Sequence, residues 1–223
     1  MLLDLRTRRD VLHGLLIAGS ALALLRVAPA FAQQDTPMKV PEQEMMAPDA
    51  LPDLFIGKAD APVTIVEYAS MTCPHCAHFH ETVYPWLVKN YLDTGKARFV
   101  LREFPLDPLA AAAFMLARCE GPEKRNAVVD LLFDQQQSWA YSDKPLDALR
   151  NVLRVTGMGQ EQFDTCLKDQ KLQDQVYAVS DRGSKKFGVS ATPTFFVNGE
   201  KVTGEVTEQS LAKILDPLVA KKS

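Results

Sequence analysis

Val63-Thr64-Ile65-Val66-Glu67-Tyr68-Ala69-Ser70-Met71-Thr72-Cys73-Pro74-His75-Cys76 is the stretch on which the fold turns. Its first seven residues are mostly β-branched or aromatic and carry one charge, the pattern of a strand buried on both faces. That strand runs straight into two cysteines separated by two residues. Pro74 suits the first turn of a helix, where its missing N–H has no partner to lose. Both sulfurs then fall in that turn, close enough to form a small disulfide, with Cys73 the one placed for attack by another thiol. The helix N-terminus aims free N–H groups and partial positive charge at Cys73, which favours its thiolate, and His75 adds a donor and positive charge nearby. Each pKa unit by which Cys73 drops below ambient pH stabilises the reduced pair by roughly 1.4 kcal/mol, or about 30 mV, so a stabilised thiolate makes the disulfide form an oxidant.

Working outward, Phe79, Val83 and Trp86 recur at helical spacing, and Pro85 should kink that helix. Arg98 to Phe104 reads as a second strand after the turn Asp93-Thr94-Gly95. From Pro108 to Phe187 the periodicity is helical throughout. Thr194 to Val197, Asn198-Gly199-Glu200 and Lys201 to Thr203 then read as strand, turn and strand, and a helix from about Glu208 to Leu215 closes the chain. The expected class is α/β, with residues 53–107 and 188–223 forming one domain around an inserted helical subdomain, 108–187. Residues 33–52, rich in Gln, Pro, Met and Glu without a sustained period, read as a flexible N-terminal arm.

The chain has 223 residues, 47% hydrophobic and 24% charged, with a net charge of −3, which excludes collagen-like and fully disordered classes and gives no basic footprint for nucleic acid. Residues 1–32 read as an export signal peptide. Arg6, Arg8 and Arg9 precede an apolar run from Leu12 to Leu25, too short to span a bilayer, and Ala30-Phe31-Ala32 supplies the small-x-small cleavage site. Thr7-Arg8-Arg9-Asp10-Val11-Leu12-His13 resembles a twin-arginine signal, with a general secretory signal as the alternative. Both lead to the periplasm. Without residues 1–32 the chain has four fewer basic and two fewer acidic residues, so its net charge falls to about −5. In an oxidising compartment the remaining cysteines, Cys119 and Cys166, are expected to form a structural disulfide, with two buried free thiols as the alternative.

The Cys73-Pro74-His75-Cys76 motif after its strand, the helical insert and Ala191-Thr192-Pro193-Thr194-Phe195-Phe196-Val197-Asn198-Gly199 together resemble the DsbA family of periplasmic thiol-disulfide oxidoreductases, which have the thioredoxin fold. The likeness covers about residues 53 to 220. It implies that Pro193 is a cis-proline facing the Cys73–Cys76 pair and that Thr192 before it binds substrate backbone. It also implies that Glu67 is a buried acid serving proton exchange at Cys76, with an acid reaching solvent at the strand end as the alternative. The implied activity is introduction of disulfides into exported proteins with free cysteines, by a monomer reoxidised by a DsbB-like membrane oxidase and using no small-molecule cofactor. An isomerase or reductase of the same fold is the alternative, weakly favoured by Thr192 and opposed by the lack of room for a dimerisation domain before residue 55. A non-catalytic chaperone or metal-binding module is the third reading. His78 and His80 read as surface histidines and no metal site is assigned, because Cys76 turns inward while the histidines should lie on other helix faces.

Overall fold

All seven residues of Val63–Ala69 are buried in the computed structural model, which describes residues 38–221. The expected export segment, with its paired Arg8 and Arg9, lies outside the described residues. Val63–Ala69 (β2) is the middle of a five-stranded sheet. On one side it pairs in parallel with Ala97–Glu103 (β3), which carries the short antiparallel Ile56–Gly57 (β1) at its outer edge. On the other it pairs antiparallel with Thr194–Val197 (β4), followed by Glu200–Lys201 (β5). The hairpin turn is Asn198-Gly199, both with positive φ (47° and 80°), the left-handed pair that matches strand twist.

Pro85 acts as expected. Pro74–Thr82 (α2) stops, Tyr84–Leu87 (α3) restarts with Pro85 in its first turn, and a π-helical turn at Val88–Leu92 leads toward β3. Between β3 and β4 the chain makes six helices: Pro108–Cys119 (α4), Pro122–Asp134 (α5), Gln136–Trp139 (α6), Pro145–Leu153 (α7), Gln160–Leu167 (α8) and Gln170–Phe187 (α9). Ala110, Ala111, Ala113 and Ala117 are buried and let α4 lie close to α5, α8 and α9. Cys119 at the end of α4 is bridged to Cys166 in α8, with Cα atoms 6.2 Å apart. Glu208–Ala220 (α10) runs past the expected end at Leu215, through Pro217, because Ile214, Leu218 and Val219 still pack on the core.

The N-terminal arm differs from expectation. From Met38 onward it is docked: Lys201 N donates to Met38 O and Val40 N to Gly199 O, adding a short antiparallel bridge beyond β5. Met45, at the end of the short helix Glu42–Met45 (α1), and Leu51 are buried, and Arg182 donates to the carbonyls of Glu44, Ala47 and Pro48. The apolar residues of this segment are too widely spaced to show a period, but single anchors suffice when the partner backbone is a sheet edge.

Gly183 shows how tightly the insert meets the sheet. A Cβ there would lie 2.6 Å from Cε1 of Tyr68, whose ring is fully buried and whose hydroxyl accepts a hydrogen bond from Arg102 at 3.0 Å. The ring has nowhere to go. Gly183→Ala should therefore destabilise the protein by about 1–2 kcal/mol despite alanine's better helix propensity. Urea unfolding of both proteins measures it, and a variant as stable as the parent would contradict this packing.

Candidate active site

β2 ends at Ala69, and Ser70-Met71-Thr72 turns the chain so that Cys73 caps α2 with extended backbone (φ −78°, ψ 118°) and Pro74 occupies the first turn. Cys73 is 5% exposed and Cys76 fully buried, both as free thiols. They are held differently. The Cys76 thiol donates toward Cys73, opposed by burial and helped by Thr192 and the backbone N–H groups of Cys76 and His75, which brings the Cys73 thiol down to about 5. Burial drives Cys76 far upward, reinforced by its bond to Cys73 and by the charge of Glu67. At neutral pH one sulfur is a thiolate and the other a thiol. His75 and Pro74 are exposed, and His75 serves the Cys73 sulfur through its backbone N–H.

Opposite the sulfurs, the Thr192-Pro193 bond is cis, and the Cys73 thiol lies 3.3 Å from the Thr192 carbonyl oxygen. Thr72, Cys73, Leu106, Tyr141 and Thr192 line a groove of about 640 Å³. Leu106 and Tyr141 are more than half exposed, which gives the groove an apolar rim.

Three contacts from beyond β3 hold the Cys73 loop, and sequence reasoning found none of them. Buried Gln136 donates from one amide nitrogen to the carbonyls of Met71 (2.8 Å) and Cys73 (3.0 Å). Thr72 donates to the Asp107 carboxylate, whose other oxygen caps α4 by accepting from Ala110 N at 2.8 Å. The Tyr141 hydroxyl reaches Thr72 O at 3.4 Å. No local signal marks Gln136, which lies 63 residues from Cys73 along the chain.

Glu67 is fully buried, so the carboxyl does not reach solvent. His80, expected at the surface, is instead buried, and its Nε2 lies 2.9 Å from Glu67 Oε2. The reason was legible, since His80 is one helical turn after Cys76 and shares its inward face with Phe79 and Val83. His78 is exposed, as expected.

The sequence matches the family model described as Thioredoxin over residues 49–217. It is 34% identical over 197 residues to a Rickettsia felis protein provisionally named protein-disulfide oxidoreductase, covering 82% of this chain and 70% of that one. The chain spans between 55% and 64% of the length of four further Rickettsia relatives. Among solved structures, alpha-DsbA1 of Wolbachia pipientis superposes with a TM-score of 0.73 at 31% identity, covering 82% of this chain and 97% of that one. Oxidised BdbD of Bacillus subtilis, 22% identical, shares the fold with a TM-score of 0.67 over 75% of this chain and 93% of that one.

Proposed function

This chain belongs to the DsbA-type thiol-disulfide oxidoreductases of the thioredoxin family, and from that premise we propose that it introduces disulfides into exported proteins in the periplasm. A substrate thiolate attacks Cys73 of the oxidised Cys73–Cys76 pair. The S–S electron pair leaves on Cys76, which takes up a proton, and a mixed disulfide joins Cys73 to the substrate. A second substrate thiolate then attacks the substrate sulfur of that bond, closing the substrate disulfide and expelling Cys73 as a thiolate. The substrate has lost two electrons and the enzyme holds them as Cys73 thiolate and Cys76 thiol. A DsbB-like membrane oxidase takes them back. In this reading Thr192 and Pro193 hold the substrate backbone beside Cys73, while the rim of Leu106 and Tyr141 accepts apolar side chains exposed only before folding.

The observation that carries the oxidase direction is the unequal pair of sulfurs. A Cys73 thiol at about 5 leaves near pH 7 on the oxidising side by at most about 60 mV relative to a pair titrating at 7, less whatever solvent at the groove mouth screens. Equilibration with glutathione redox buffers tests it. The potential should lie above the roughly −270 mV of thioredoxin by several tens of millivolts, in the range of the glutaredoxins at about −200 to −230 mV. The ultraviolet thiolate absorbance of Cys73 should titrate near 5. A thioredoxin-like potential would replace this reading with a reductase.

A further inference from the structure

Cys76 must take up one proton when its disulfide opens and release one when the disulfide re-forms, yet no part of its side chain reaches water. Glu67 acts on Cys76 by its charge, and one Glu67 oxygen, Oε1, is buried without a hydrogen-bond partner. The other oxygen meets Nε2 of His80 at 2.9 Å. The far nitrogen of the same ring, Nδ1, is buried without a hydrogen bond and lies 3.7 Å from Oδ1 of Asp130, whose side chain is about half exposed. That separation is closed by one water or by rotation of Asp130. Phe133 stacks on the imidazole at 4.3 Å and Tyr84 packs at 4.7 Å, fixing the ring so that one nitrogen faces inward and the other outward. The outward side opens on a cleft of about 420 Å³ lined by His80, Tyr84, Pro85, Lys89, Asp130 and Asp134. Its residues come from α2, α3, the π-helical turn and α5, whereas the Cys73 groove is lined by other residues.

We propose that His80 holds the proton that Cys76 takes up and gives back through Glu67, and that this exchange runs on the side of the Asp130 cleft rather than through the groove that receives the substrate. The proposal rests on the thiol-disulfide reading above. When the Cys73–Cys76 bond opens, Nε2 of the charged ring gives its proton to Glu67 and Glu67 gives one to the Cys76 thiolate, leaving the ring neutral with its remaining proton on Nδ1. On reoxidation the thiolate of Cys73 has joined the oxidant's sulfur, and Cys76 must lose its proton to attack Cys73. The proton then travels back from Cys76 to Glu67 to Nε2 and recharges the ring. Opening the disulfide discharges the ring and closing it recharges the ring, so each step leaves His80 in the state that the next requires. The substrate can stay seated on Cys73 throughout, because its groove is not the proton's route.

The electrostatics around the ring favour this. Burial would lower the affinity of His80 for a proton, but Glu67 and Asp130 outweigh it and hold His80 at about 9. The other titratable or charged groups around it are Glu81 on its own helix, Tyr84 on α3, Lys89 on the π-helical turn, Asp93 just after it, and Asp134 with Asp130 on α5. Tyr84 is pushed upward by burial and stays neutral. The acidic surplus around the ring favours its charged form.

The test is reoxidation of the reduced full-length protein by oxidised glutathione, followed by stopped-flow tryptophan fluorescence between about pH 5 and 8. Trapping of the glutathione adduct at Cys73 is measured in parallel. His80→Gln should form that adduct at the parent rate, then close the Cys73–Cys76 bond about 10²-fold more slowly at neutral pH, with a rate that climbs steeply with pH where the parent is nearly flat. Imidazole added to His80→Ala should restore part of the closure rate. Asp130→Asn, a change on a half-exposed side chain, should fold normally and show the same steepening to a smaller degree. Closure rates at the parent level in all three variants would overturn the proposal, and so would an equal loss at every pH that imidazole leaves untouched. If the parent protein itself forms no adduct at Cys73, the thiol-disulfide reading fails instead.

Discussion

Replacing Cys73 by Ser should abolish thiol-disulfide exchange, a drop on the order of 10³-fold or more to the uncatalysed background. The argument is geometric and electrostatic. Of the two sulfurs, only Cys73 is a thiolate at neutral pH and only Cys73 lines the substrate groove. Serine keeps the shape but cannot ionise there. Cys76→Ser has the opposite signature. Cys73 remains a low-pKa nucleophile, now without a partner to expel whatever it has bound, so reaction with oxidised glutathione should stop at a stable one-to-one adduct on Cys73. The shift of Cys73 also depends first on its hydrogen bond from Cys76, so the thiolate in Cys76→Ala, which has no donor there, should titrate higher than in the parent. Mass spectrometry of the adduct and a glutathione exchange assay measure both variants. Appreciable exchange in Cys73→Ser would sink the assignment of Cys73 as the attacked sulfur, because Cys76 is the free thiol that remains among the described residues.

How much of this was legible in the sequence follows from the range of each interaction. β2, the helix start at Cys73 and the Asn198-Gly199 turn were readable, since each is specified by residues within one turn or one strand. Pro85 broke its helix for the same local reason. His80 was misread because a histidine after a redox motif looks polar, although its spacing from Cys76 already placed it on the buried face. What made burial tolerable was Glu67, thirteen residues earlier on the adjacent strand. The docked arm and the Gln136 clamp were beyond reach for a different reason. Both are backbone contacts made by a side chain or strand edge far away in the chain, and neither leaves a periodic or compositional trace. The insert is therefore more than a cover on the sheet: Asp107, Gln136 and Tyr141 hold the loop that presents Cys73.

The largest loss of stability should come from Glu103→Gln at the end of β3. One oxygen of Glu103 accepts from Arg125 and from Arg118, each at 2.7 Å, and Glu103 and Arg125 are both 1% exposed. Arg125 also donates to the Leu101 carbonyl at 3.0 Å. Burial alone would raise the Glu103 carboxyl, but the two guanidinium groups outweigh it and hold it below the ordinary carboxylate range. Gln keeps the size and a hydrogen-bond acceptor but removes the carboxylate that both guanidinium groups touch, and one of them, Arg125, is almost fully buried. Removing one partner of such a buried set costs about 3–5 kcal/mol, a large share of the 5–15 kcal/mol a domain typically holds. The sign of the pH dependence follows. A carboxyl whose folded value is depressed contributes its stability above its unfolded value and loses it as pH falls through the folded value. The gap between parent and Glu103→Gln should therefore be widest near neutrality and narrow on acidification, since the parent alone must protonate Glu103. Urea unfolding at about pH 7 and at the acid end of the stable range measures both. A neutral-pH loss under about 1 kcal/mol, or a gap that does not change with pH, would mean that the guanidinium groups are held by their backbone partners and not by the carboxylate. The double variant Glu103→Met with Arg125→Met separates charge from packing: it should recover most of the loss, because two apolar side chains of similar volume leave one arginine, Arg118, which is nearer the surface and donates to Pro52 O at 2.9 Å.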